Sequence, residues 1–65
     1  MNWNQVEGNW EQFKGKVQQH WGKLTGDDLD MIKGHRKELS GKIQERYGKG
    51  QEEVDRELDD WLRMN

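Results

Sequence analysis

The chain has 65 residues, a net charge of −2, 29% apolar and 37% charged residues, and a mean hydropathy of −1.43. Those values suit one domain, residues 1–65, near the regime where apolar surface is too scarce to offset chain entropy. The absence of Cys excludes disulfides and thiolate metal sites, and no apolar run is long enough for a signal peptide or a membrane span, so the expected setting is the cytoplasm.

In chain order, Trp3, Val6, Trp10, Phe13, Val17, Trp21 and Leu24 step by three or four residues, which keeps one apolar stripe on a helix. Asn2 followed by Gln5 reads as a capping-box start, and Thr25 followed by Asp28 as another. Thr25-Gly26-Asp27 is the clearest turn between helices. Leu29, Ile32, Leu39, Ile43 and Tyr47 form a second stripe, with Arg36 standing where the first stripe has Trp10. Gly48-Lys49-Gly50 should end that unit, because Gly readily takes the left-handed conformation after a helix. Val54, Leu58, Trp61 and Leu62 mark a third, acidic segment, with Glu52 and Glu53 in its first turn where the helix dipole favours negative charge.

Nothing alternates with period two. The predicted fold is therefore all-α, a small bundle of four to five short helices. Four Trp, one Tyr and one Phe would supply much of a thin core. A scaffold this small is expected to be stable by only about 3–5 kcal/mol. Glu38 with Lys42, Glu45 with Lys49, Glu52 with Arg56 and Asp59 with Arg63 are spaced as i,i+4 pairs, each worth about 0.2–0.5 kcal/mol.

A repeat with an offset of 26 residues runs through the chain. Gly8, Gly15, Lys16, Gln18, Gly22 and Lys23 recur as Gly34, Gly41, Lys42, Gln44, Gly48 and Lys49, and the apolar positions recur with them. Segments 3–24 and 28–48 thus read as an approximate internal duplication, two similar helical units followed by the acidic helix. Gly8 and Gly34 either break each unit into a short and a longer helix or lie within continuous ones. Gly15 and Gly41 are placed where a small residue would let another helix approach closely. Gly22 and Gly48 read as helix ends.

These residues also carry a resemblance. NWEQFKGKVQQHWGKLT, then KELSGKIQERYG, then VDRELDDW resembles the CsbD-like family of small bacterial stress-response proteins, over nearly the whole chain. The resemblance implies a compact bundle of four or five short helices, abundance under general stress and a cytoplasmic setting. It implies no activity, ligand or catalytic residue.

Motifs for chemistry fail one by one. Gly22-Lys23-Leu24-Thr25 is like the end of a P-loop, but Val17 and Leu24 stand where that loop needs Gly and a hydroxyl. Asp28-Leu29-Asp30 is like the start of a calcium loop, but Ile32 replaces an oxygen ligand, and capping explains the acids better. His20 and His35 have no partners at metal-ligand spacing and read as solvated. Ser40 has no evident base. The expectation is a protein that is not an enzyme and has no cofactor or metal.

Charge is uneven: residues 51–65 carry six acidic residues and two Arg. That segment could pack on the basic middle, though a solvated face is favoured because surface ion pairs are worth little. In the middle, Lys33, Arg36, Lys37, Lys42, Arg46 and Lys49 could give weak contact to an anion or a nucleic acid. Interspersed Glu38 and Glu45 and a pI of about 5.6 argue against nucleic acid. The leading functional expectation is a non-enzymatic, hydrophilin-like stress protectant, and the alternative is a small helical interaction module that binds a protein partner or, as the weaker option, nucleic acid. A monomer is expected. Trp61 beside Leu62 is the candidate contact of a weak homodimer, the other Trp residues being assigned to the core.

Overall fold

The structure, a computed structural model, describes residues 1–64. Five helices follow one another: α1 (Trp3–Gly8), α2 (Trp10–His20), α3 (Gly26–Ile32), α4 (Arg36–Tyr47) and α5 (Gln51–Met64). The described residues include no strand. The radius of gyration is 10.6 Å, against about 10.7 Å for a compact chain of this length. The hydrophilic composition therefore still closes a core.

Local signals set most of the boundaries. Asn2 and Gln5 form a reciprocal capping box at α1, as do Thr25 and Asp28 at α3. Gly48, at φ +64°, caps α4 in the left-handed conformation, and Gly48 and Lys49 both donate their N–H to the Gln44 carbonyl. The chain does break near Gly8 and Gly34, but by different means. Gly8 is the last residue of α1, and the bend falls at Asn9, whose backbone and side-chain N–H groups both donate to the Gln5 carbonyl. After α3, Lys33 at φ +52° and Gly34 at φ +81° turn the backbone before α4 begins. Moving α2 by the repeat offset gives 36–46, and α4 is Arg36–Tyr47, whereas α1 so moved gives 29–34 and α3 is Gly26–Ile32.

Successive helices pack on one another, with the largest contact between α4 and α5. Val6, Trp10, Val17, Trp21, Leu24, Leu29, Ile32, Leu39, Ile43, Val54, Leu58 and Trp61 are buried, and Trp3, Phe13, Tyr47 and Leu62 pack against them. All sixteen stand on the predicted stripes. Each fully buried Leu, Ile or Val contributes about 1.5–3 kcal/mol.

Four expectations are corrected. Trp61 is 2% exposed, in the core and not the exposed residue expected: its ring lies 6.0 Å from that of Trp21, 6.2 Å from Trp3 and 6.3 Å from Phe13. The acidic helix is not simply a solvated face, because Glu57 and Asp59 pair with Lys49 and Arg36. None of the four i,i+4 pairs forms; Lys42, Lys49 and Arg63 instead meet Asp28, Glu57 and Asp60 among their partners. No helix lies close over Gly15 or Gly41, where a Cβ would find nothing within 4 Å. The close approach is at Gly34, where a Cβ would lie 2.9 Å from Glu7 Cα.

Candidate functional site

The basic middle of the chain is the region the sequence singles out, and its six cations have different surroundings. Arg36 donates to Asp59 Oδ1 at 2.9 Å and to the Asp55 carbonyl at 3.3 Å, and its guanidinium lies 5.9 Å from the Trp3 ring centroid. Lys49 reaches Glu57 Oε2 at 2.7 Å and stands over the Tyr47 ring. Arg46 donates to Asp28 Oδ1 at 3.2 Å, and Lys42 lies 3.9 Å from the same oxygen and 3.8 Å from Glu45. Lys33 and Lys37 are exposed, and neither has a carboxylate within ion-pair distance among the described residues. Four of the six are thus held by the protein's own acids.

Two carboxylates organise that surface. Asp28, 6% exposed at the start of α3, accepts the Thr25 N–H at 3.0 Å as well as Arg46. The Thr25 N–H first, then Arg46, holds its carboxyl below the usual carboxylate range, against the opposing effect of burial. Glu57 takes Lys49 on one oxygen and the Trp21 indole N–H, at 3.1 Å, on the other. Lys49 chiefly, with Trp21, lowers the Glu57 pKa, and Glu57 raises that of Lys49. Away from this region, Lys14 bridges Glu11 and Asp30, and those two bonds raise its pKa.

Ser40 and His35 also have partners. Ser40 donates to Asp55 Oδ1 at 3.4 Å and accepts from Gln44 at 3.1 Å. His35 meets Glu7 at 3.2 Å, and both His20 and His35 are exposed. No buried side-chain nitrogen or oxygen among the described residues lacks a hydrogen-bond partner. No cluster of His, Cys, Asp and Glu among them is arranged to hold a metal ion. No helix among the described residues is long and apolar enough to cross a membrane.

The CsbD-like family model matches residues 4–56. The chain belongs to the CsbD-like family. Among relatives of this CsbD-like chain, a UPF0337 protein of Rhodopseudomonas palustris is 61% identical over 62 residues, covering 95% of this chain and 94% of the relative. A UPF0337 protein of Rhizobium meliloti is 64% identical over 61 residues, 94% of this chain and 88% of its own. The UPF0337 protein YjbJ of Escherichia coli K12 is 52% identical over 65 residues, all of this chain and 94% of the relative. No solved structure gives a significant match.

Three features of this CsbD-like chain escaped sequence reasoning. Asp28 as a receiver for Arg46 and Glu57 as a receiver for Trp21 and Lys49 depend on partners 18, 36 and 8 residues away. The third is a set of indole tethers: Trp3 donates to the Gly34 carbonyl at 2.7 Å and Trp10 to the Leu29 carbonyl at 2.9 Å, as Trp21 does to Glu57. The one available signal was the general need of a buried indole N–H for an acceptor.

Proposed function

We propose that this CsbD-like protein is a non-enzymatic, hydrophilin-like stress protectant of the bacterial cytoplasm, limiting aggregation of other proteins when water is scarce. The observation that carries this reading is the partition of its side chains. At a mean hydropathy of −1.43, every Trp, Tyr, Phe, Leu, Ile and Val is buried or half-buried, and the exposed large apolar side chains are Met1, Met31 and Met64. A charged surface without broad apolar patches resists association while it holds water. The CsbD-like resemblance to stress-response proteins supports the same reading.

Nucleic acid suits this surface less well. Affinity there grows with the number of phosphates a protein neutralises, and four of the six candidate cations already have carboxylate partners.

The test is to dry or freeze a labile enzyme with the purified protein, beside an inert globular protein at equal mass. The expected outcome is higher recovered activity and less light scattering with the CsbD-like chain. Equal recovery in the two samples would refute the protectant reading.

A further inference from the structure

Helix α4 carries a cost that its own fold does not explain. Gly41 sits in its middle, where Gly weakens a helix relative to Ala, yet a Cβ there would meet nothing within 4 Å. Grooves run along both sides of this position. One, towards α5, is lined by Lys37, Ser40 and Gln44; the other, towards α3, by Met31, Lys42 and Glu45, and Gly41 borders both. Met31 on the second rim is 72% exposed, the most exposed large apolar side chain among the described residues. A flexible thioether of this kind suits a contact surface. Two of its charges stand against the helix dipole, Lys37 in the first turn of α4 and Glu45 in the last, beside Glu38 and Arg46, which agree with it.

We propose that α4 is a self-association face, on which a second copy of the chain docks antiparallel across Gly41. A twofold contact brings residues equally far before and after the axis together. With the axis at Gly41, Lys37 faces the partner's Glu45, and Glu45 faces the partner's Lys37. Each pair lies about 6 Å along the helix from the crossing point, one turn away. Among the described residues Lys37 has no carboxylate partner of its own, and Glu45 is exposed with only a 3.8 Å contact to Lys42. Both are therefore available. The absent Cβ at Gly41 lets the two backbones draw together, and Met31 of each copy covers the flank.

The equivalent glycine of the first unit shows that this is not a property of any bare glycine. Gly15 also has open space at its Cβ position. A twofold there would set Glu11 against the partner's Gln19, which gives no opposite-charge pair, and Lys14, opposite the partner's Lys16, is already held by Glu11 and Asp30. The twofold at Gly41 also sets Arg36 against the partner's Arg46, but each is held by an acid of its own chain, Asp59 and Asp28, so the opposite-charge pair selects α4 over α2.

Sedimentation equilibrium of the full chain tests this, from about 10 µM to about 1 mM, where weak association is read. The expected result is a mass rising from monomer to dimer, at lower concentration in low salt. Lys37→Glu and Glu45→Lys should each weaken self-association about tenfold or more. Mixing the two single variants should restore dimers, because every facing pair in the mixed dimer is again opposite in charge. Lys37→Glu/Glu45→Lys in one chain should self-associate like the parent. Gly41→Leu should abolish dimers; if it disturbs the helix, the charge variants decide alone. A monomer mass throughout, or dimers indifferent to the charge reversals and their mixture, overturns the proposal.

Discussion

At Gly34 two demands meet. The backbone is at φ +81°, and a Cβ would press to 2.9 Å on Glu7 Cα, which is backbone and cannot swing aside. Gly34→Ala is therefore expected to destabilise the fold by more than about 1 kcal/mol, read as a lower urea midpoint. Gly15→Ala should do the reverse, because its Cβ enters open space within α2; a gain of about 0.5–1 kcal/mol is expected in the same measurement. The sequence suggests a break at Gly34 and a close approach at Gly15. It cannot show that the close approach falls at Gly34 instead, since that depends on a neighbour 27 positions away.

The elements are the most legible part of the molecule. Caps at Asn2, Thr25 and Gly48 and the apolar steps could be read directly, because each depends on residues within one turn of each other. Thr25→Ala, which removes the hydroxyl that accepts the Asp28 N–H, is expected to cost about 1 kcal/mol by chemical denaturation. The ion pairs were misread for the complementary reason. Spacing within one helix favours Asp59 with Arg63, but Arg36 reaches Asp59 from 23 residues away. Arg36 itself looked like a gap in the second stripe. It fills that place by lying over Trp3 and against α5. Position near the end of the chain made Trp61 look available for a contact outside the core, yet α5 folds back so that its ring meets those of α1 and α2. Trp61→Ala should remove about 3–5 kcal/mol, as much as the whole expected stability of so small a scaffold. Its helical circular dichroism should then collapse towards that of an unfolded chain at room temperature.

For the whole molecule, charge links α3 and α5 to the basic α4 and its C-terminal turn through Asp28 and Glu57. Both acids have pKa values below their ordinary ones in the folded chain. Their stabilisation is thus complete at neutral pH. It is lost as pH falls through the usual carboxylate range to the depressed folded values. The thermal midpoint should drop over that acid interval. Asp28→Asn/Glu57→Gln should flatten the drop while lowering the neutral-pH plateau. The raised pKa values of Lys14 and Lys49 act at the other limit: their contribution is whole below the ordinary lysine value and is lost as pH rises through the folded one.

The indole tethers give each part of this assembly its own clock. Trp3 ties α1 to the turn before α4, Trp10 ties α2 to α3, and Trp21 ties the end of α2 to α5. An indole proton bonded in this way trades with deuterium only when its acceptor moves off. The Trp10 bond is buried and the other two are partly so. In heavy water the Trp10 signal should outlast those of Trp3 and Trp21. The order in which the three fade would time the separation of the helices they join.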